Sequence, residues 1–308
     1  MKPLVLAGLL FCCSILCPGQ AYQFGKSYSD SEGWTSLTVG NMPLVISVPH
    51  GGMLDLDSVE DRNCADAVTV TDSYTKELAR EIEAVMQKFY GLKPYIVVCN
   101  LRRKEVDQNR EIENGTCGNP AMDKPWNVFH NYLDTALAMA TRQFGSCLYI
   151  DLHGHGHENQ RLELGYLLKA TELPDALNGT EKTAAFTKKS SLNNLIETSD
   201  GKQTLQGLLT GDNAFGTMMA NEGFPAVPSK QDPLPLEGEK YFNGGYNSRQ
   251  YTTDKYANVY GWQIECNLKG VRDAAGRPIF ARAFSKVILK YLKLNTPVNF
   301  PALQSIHL

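Results

Sequence analysis

The chain predicts a single-domain α/β fold, built on a largely parallel, mixed sheet with helices on both faces. Two observations carry this. Short, continuous apolar runs alternate along the chain with longer amphipathic stretches, as when crossover helices bury a parallel sheet on both sides. The polar residues suited to chemistry also gather just after those runs, where open α/β sheets place ligands, beyond the carboxyl ends of their strands.

The elements follow in order. Residues 44–48 (Leu-Val-Ile-Ser-Val) read as a buried strand ending at Pro49-His50-Gly51-Gly52. Residues 74–89 read as a helix, with Leu78, Ile82, Val85, Met86 and Phe89 on one face. A second strand spans 95–98. Pro125 opens a helix carrying Phe129, Leu133, Ala136, Leu137 and Ala140, which Gly145 closes. Residues 147–152 and 259–266 give a third and a fourth strand, and 280–292 a terminal amphipathic helix. The stretches 175–203 and 225–240 read as long surface excursions of the same domain.

Composition narrows the function. The 308 residues are 43% hydrophobic and 20% charged, with a net charge of −3, an ordinary globular balance. No broad basic field is present, which argues against nucleic acid or anionic membrane as a partner. No GxSxG elbow, GxGxxG fingerprint or P-loop occurs, which disfavours serine hydrolysis and nucleotide chemistry.

The N-terminus points to export. Lys2 precedes an apolar run over residues 4–17, and Gly19 and Ala21 supply small residues for a cut after Ala21. The run is shorter than the roughly 20 residues of a membrane span. Residues 1–21 are therefore expected to be a signal peptide, 22–308 the mature domain, and the protein secreted. Of the cysteines that remain, Cys64 and Cys117 lie in polar, loop-like stretches and are the candidate disulfide. Cys99, Cys147 and Cys266 sit in apolar runs as buried packing residues. Asn114 and Asn178 begin Asn-Gly-Thr glycosylation sequons.

The chemistry collects at the strand ends. His50 closes the first strand, and Asp151-Leu152-His153-Gly154-His155-Gly156-His157 closes the third. Asn109-Arg110 follows the second, and Glu265 sits within the fourth. An acid between Ile264 and Cys266 needs a partner or a function. Alternate positions would put His153, His155 and His157 on one side of a continuing strand, but the intervening glycines favour a bend, so only one or two reach the site. Asp151 is placed either to orient a ligand or to cap the loop.

The ordered set Val48-Pro49-His50-Gly51-Gly52, Thr71-Asp72-Ser73-Tyr74-Thr75, Val106-Asp107-Gln108-Asn109-Arg110 and Asp151-Leu152-His153-Gly154-His155 resembles the N-formylglutamate amidohydrolase-like family. Leu164-Gly165-Tyr166-Leu167-Leu168, Tyr241-Phe242-Asn243-Gly244-Gly245-Tyr246 and Gln263-Ile264-Glu265 extend the likeness across most of the mature chain. That family is similar in fold to zinc carboxypeptidases and aspartoacylases. The resemblance implies one Zn2+, or another divalent ion, held by His50 and His153, with Glu265 as the general base towards the attacking water. It implies that Asn109 and Arg110 grip a substrate carboxylate. Arg103, or its neighbour Arg102, is placed to stabilise the oxyanion.

The third ligand departs from the relatives, which carry a glutamate three residues after the first histidine. Here that residue is Met53. Asp72, at the start of the following helix, is the substitute, although aspartate there is also a good N-cap. Asp61 is its rival. The expected activity is hydrolysis of a C–N amide bond near a free carboxylate, in an N-acyl amino acid or small peptide. The alternatives are a carboxypeptidase-like peptidase and a catalytically inactive secreted binding protein.

Overall fold

The computed structural model describes residues 22–179 and 181–306. The expected signal peptide, residues 1–21, and Thr180 of the second sequon lie outside the described residues.

The strands are β1 (Ser27–Ser29), β2 (Thr35–Thr38), β3 (Leu44–Val48), β4 (Tyr95–Cys99), β5 (Cys147–Gly154), β6 (Leu162–Gly165), β7 (Ala226–Val227) and β8 (Val259–Cys266). They form one eight-stranded sheet in the order β1-β2-β4-β3-β5-β8-β6-β7. The central β4, β3, β5 and β8 are mutually parallel. Antiparallel β2 flanks β4, and antiparallel β6 flanks β8. The centre is apolar because it is covered twice. Every residue of β3, β4 and β8 is buried.

The path of the chain sets the position of the site. From β3 the helix Thr75–Tyr90 crosses to β4 on one side, and the helix Pro120–Phe144 then crosses back to β5 on the other. Right-handed crossovers in opposite directions place those two helices on opposite faces. The reversal opens a crevice beyond the carboxyl ends of β3 and β5. His50 follows β3, and His153 sits near the end of β5.

The first helix buries Leu78, Ala79, Ile82, Val85 and Met86 and stops at Gly91, whose φ of 67° suits the left-handed cap. Leu78, Ile82, Val85 and Met86 each stabilise the fold by about 1.5–3 kcal/mol when fully buried. The terminal helix Gly276–Asn295 packs on it. The short helix Tyr246–Tyr251 packs against β5 and β8 and meets the long crossover helix where Tyr251 Oη lies 2.7 Å from His130 Nδ1.

Several expectations are corrected. Pro125 does not open its helix: the helix starts at Pro120, because Asn119 accepts from the Ala121 amide and caps it. The stretch 175–203 carries the short helices Thr183–Lys189 and Asn193–Glu197. The strands β1, β2, β6 and β7, only 2–4 residues long, are too short to show periodicity. As expected, Cys64 and Cys117 form a disulfide, with a Cα–Cα distance of 5.4 Å. Cys99, Cys147 and Cys266 are free and buried.

Candidate active site

At the end of β3 the chain turns through His50-Gly51-Gly52 in very tight quarters. A Cβ on Gly51 would come within 2.5 Å of Thr75 Oγ1, and one on Gly52 within 2.2 Å of the Asn100 carbonyl carbon. The turn draws the segment before the first helix against His50. The Asp72 amide donates to the His50 carbonyl at 3.0 Å, and Thr75 Oγ1 donates to the Asp72 carbonyl at 2.9 Å. The N-cap is Tyr74, without a side-chain hydrogen bond. Asp72 therefore does not cap its helix, and its carboxylate turns inward.

There it meets both histidines. Asp72 Oδ2 lies 3.1 Å from His153 Nδ1 and 3.5 Å from His50 Nδ1. It also accepts from the Gly154 amide at 3.2 Å. One ligating atom from each of His50, Asp72 and His153 falls within 4.8 Å of the others, and all three residues are buried. On the far side, each imidazole is held by a second buried carboxylate. His50 Nε2 lies 2.6 Å from Asp107 Oδ1, and His153 Nε2 lies 2.9 Å from Asp151 Oδ2. Ser47 Oγ donates to Asp151 at 2.5 Å.

The electrostatics favour a cation between the rings. Burial opposes ionisation of Asp107, yet His50 and Arg103 drive its pKa well below the usual range. An ionised carboxylate only accepts, so His50 Nε2 carries the proton and Nδ1 keeps its lone pair. That Nδ1 is buried and has no hydrogen-bond partner. Burial likewise opposes charge on Asp72, but the two histidines hold its pKa well below the ordinary value. Burial disfavours charge on His153 as well, while Asp151 and Asp72 raise its pKa well above the ordinary value. An orphaned imidazole nitrogen, a second one facing a carboxylate and outer carboxylates on both rings make a donor set that fits a divalent metal ion.

Glu265 is the neighbour of His153 across the β5–β8 ladder. It is buried, and Gln263 Nε2 donates to it at 2.8 Å. Burial pushes its pKa up to about 8. Asn109 is part-buried beside them. Its Nδ2 is 3.2 Å from His153 Nε2 and donates to Gln263 Oε1 at 3.4 Å, while its Oδ1 accepts from the Asn247 amide at 2.8 Å.

These groups line a cavity of about 370 Å³, bordered by Arg103, Arg110 and Arg249 and walled by Phe242 and Tyr246. Arg103 Nε donates to Asp107 Oδ2 at 2.9 Å. Arg110 lies 3.8 Å from the same oxygen and is half exposed. Asp107 and Arg249 have no role in the sequence analysis: Asp107 gains its meaning from His50, 57 residues away, and Arg249 reaches the cavity only through the fold.

The other candidates lie elsewhere. Met53 is exposed. Asp61 is a surface residue paired with Lys104 at 3.0 Å, so it is no rival to Asp72. Arg102 is salt-bridged to Asp55 at 3.5 Å and does not border the cavity. His155 and His157 turn away after Gly154 and join Glu163 instead. Asn114 is exposed at the rim of the cavity. Asn178 is exposed at the end of the Leu173–Leu177 helix.

No family model matches the sequence, and no curated protein matches it either. Among solved structures, the chain is similar to the N-formylglutamate amidohydrolase of Ralstonia eutropha JMP134. The two are 12% identical with a TM-score of 0.51, over 85% of this chain and 97% of that one. Weaker likenesses are to the Atu2144 gene product of Agrobacterium tumefaciens (10% identical, TM-score 0.46, 84% of this chain and 94% of that one) and to the succinylglutamate desuccinylase of Chromobacterium violaceum (12% identical, TM-score 0.36, 91% and 72%). On the first of these comparisons, the chain has the α/β fold of an N-formylglutamate amidohydrolase.

Proposed function

We propose that this chain is a secreted, zinc-dependent amidohydrolase that cleaves a C–N amide bond near a free carboxylate, in an N-acyl amino acid or small peptide. The observation that carries the reading is the convergence of His50 Nδ1, His153 Nδ1 and Asp72 Oδ2 beside buried Glu265. A pure binding protein has no use for a buried acid next to a metal site. Signal-like residues 1–21, the Cys64–Cys117 disulfide and the exposed sequon asparagines support export of the 22–308 domain.

His50, Asp72 and His153 would hold the ion. Zinc in such a site supplies Lewis acidity, polarising a carbonyl and making water a better nucleophile near neutral pH. With a bound cation's charge favouring its ionised form, Glu265 would accept the proton of the attacking water and return it to the leaving nitrogen. Arg103, with its Nε fixed by Asp107, turns its guanidinium towards charge developing on the carbonyl oxygen. Arg110, assisted by Arg249, pairs with the substrate carboxylate at the mouth. Asn109, on the cavity lining beside them and tied to Gln263 and to the Asn247 amide, joins that grip.

A cavity of about 370 Å³ suits an acyl amino acid better than a long peptide. A glycan on Asn114 would narrow the rim further. N-Formylglutamate itself fits an exported enzyme poorly, since its hydrolysis belongs to intracellular histidine breakdown.

The test is amine release from a panel of N-formyl, N-acetyl and N-succinyl amino acids and short peptides, using the secreted protein. The reading expects turnover that a chelator abolishes and zinc restores. Turnover indifferent to chelation, or none at all in fully metal-loaded protein, would overturn it.

A further inference from the structure

Beyond His153 the strand ends at Gly154, and His155 and His157 build a second group with Glu163. One nitrogen of each histidine and one Glu163 oxygen lie within 4.8 Å of one another. The tautomer of His155 follows from its surroundings. Its Nε2 lies 2.8 Å from the Arg161 carbonyl, which can only accept, so Nε2 carries the hydrogen and Nδ1 keeps its lone pair. That lone pair accepts from the His157 backbone amide at 3.1 Å, a bond that an ion at this nitrogen would displace. Its outer nitrogen is thus braced as those of metal-binding histidines are.

Glu163 is fully buried in β6, directly opposite Glu265 in β8. Its Oε1 lies 2.7 Å from His157 Nδ1, and its Oε2 accepts from the Phe242 amide at 2.8 Å. A buried carboxyl group beside another needs a proton, hydrogen-bond donors or a cation to offset its burial. The nearby Arg161 is not that cation for Glu163, because its guanidinium is bonded to Asp232 and Glu239. A cavity of about 640 Å³ reaches His157, lined by Glu158, Glu237, Glu239 and Lys240, so its approach carries more acidic than basic groups.

We infer that His155, His157 and Glu163 form a second divalent-metal site, separate from the His50/Asp72/His153 centre. An ion there takes the place of the proton shared by His157 Nδ1 and Glu163 Oε1. Two imidazoles and a carboxylate suit zinc. The site also ties together one wall of the catalytic cavity. Phe242, bonded through its amide to Glu163, stacks on His157 with ring centroids 4.8 Å apart and planes 10° apart, and it lines that cavity. The ion therefore acts as a structural brace on the Phe242 wall.

The test is titration of chelator-stripped full chain with zinc alone, counting bound equivalents after desalting and following the thermal midpoint. Wild type is expected to bind two equivalents. The His50→Ala/His153→Ala variant should retain one and still be stabilised by zinc. His157→Ala and the near-isosteric Glu163→Gln should each lose one, with circular dichroism reporting their fold. A wild type that binds one equivalent, lost in His50→Ala/His153→Ala and kept in Glu163→Gln, overturns the second site and leaves the proposed function intact. One equivalent lost only in the His157 and Glu163 variants supports the second site and sinks the first.

Discussion

His50 and Asp107 face each other at 2.6 Å with neither side chain exposed. Asp107 thereby links the first histidine to Arg103, which donates to its other oxygen at 2.9 Å. One carboxylate sets the tautomer of a ligand candidate and fixes a guanidinium at the cavity wall. Replacing it with asparagine keeps the shape and removes the charge. Asp107→Asn should weaken zinc binding about 10–100-fold, the usual cost of losing an outer carboxylate, as read by competition with a chelating dye. Unchanged affinity would show that His50 needs no orienting anion.

Glu265→Gln separates chemistry from binding. The change is nearly isosteric and leaves His50, Asp72 and His153 in place. It should lower kcat by about 10²–10⁴-fold, the span expected for a lost general base, while zinc content stays at the wild-type level. Comparable loss of zinc and of turnover would instead make Glu265 part of the metal-holding set.

How much of this was legible in the sequence depends on range along the chain. Leu44–Val48 and Val259–Cys266 are legible because a strand covered on both faces writes itself as an unbroken apolar run. His50 and His153 stand out because each follows or closes such an element, whereas Asp72, just before the helix Thr75–Tyr90, is reached only through the resemblance. Asp107 does not, since its meaning comes from a partner 57 residues away. Glu163 carried a usable signal that was passed over. Like Glu265, it is an acid inside a short apolar run, Leu162-Glu163-Leu164. Pro125 misled because proline usually marks a helix start, whereas here Asn119 caps the helix one turn earlier.

Stability should depend on pH through His130. Its Nδ1 meets Tyr251 Oη at 2.7 Å, its buried Nε2 has no partner, and Trp126, Phe129 and Tyr246 surround its ring. Burial lowers its pKa from 6.5 to about 3. Between those values the unfolded chain binds a proton that the folded chain refuses. This contribution to stability is thus complete above pH 6.5 and declines by about 1.4 kcal/mol per pH unit on acidification. Denaturant titrations from pH 7 to 4 should show a shallower decline in His130→Phe than in wild type. Parallel slopes would mean that His130 takes up its proton freely in the folded state.

The Cys64–Cys117 disulfide closes a separation of 53 residues that includes the first helix and β4. Just before the loop, Arg62 donates into it, to the Arg103 and Asn114 carbonyls at 2.8 and 3.0 Å, and lies 3.9 Å from Asp107. Cys64→Ser/Cys117→Ser should cost about 2–5 kcal/mol of stability, measured by chemical denaturation. A loss well below 1 kcal/mol would mean that Arg62 and the core hold this loop without the covalent link.

The most direct test of the central claim is anomalous X-ray scattering at the zinc edge, from crystals of the protein purified without chelators. A peak is expected about 2.0–2.2 Å from His50 Nδ1, His153 Nδ1 and an Asp72 oxygen, beside Glu265. Folded protein with no peak between those three side chains, in crystals soaked with zinc, would contradict the claim.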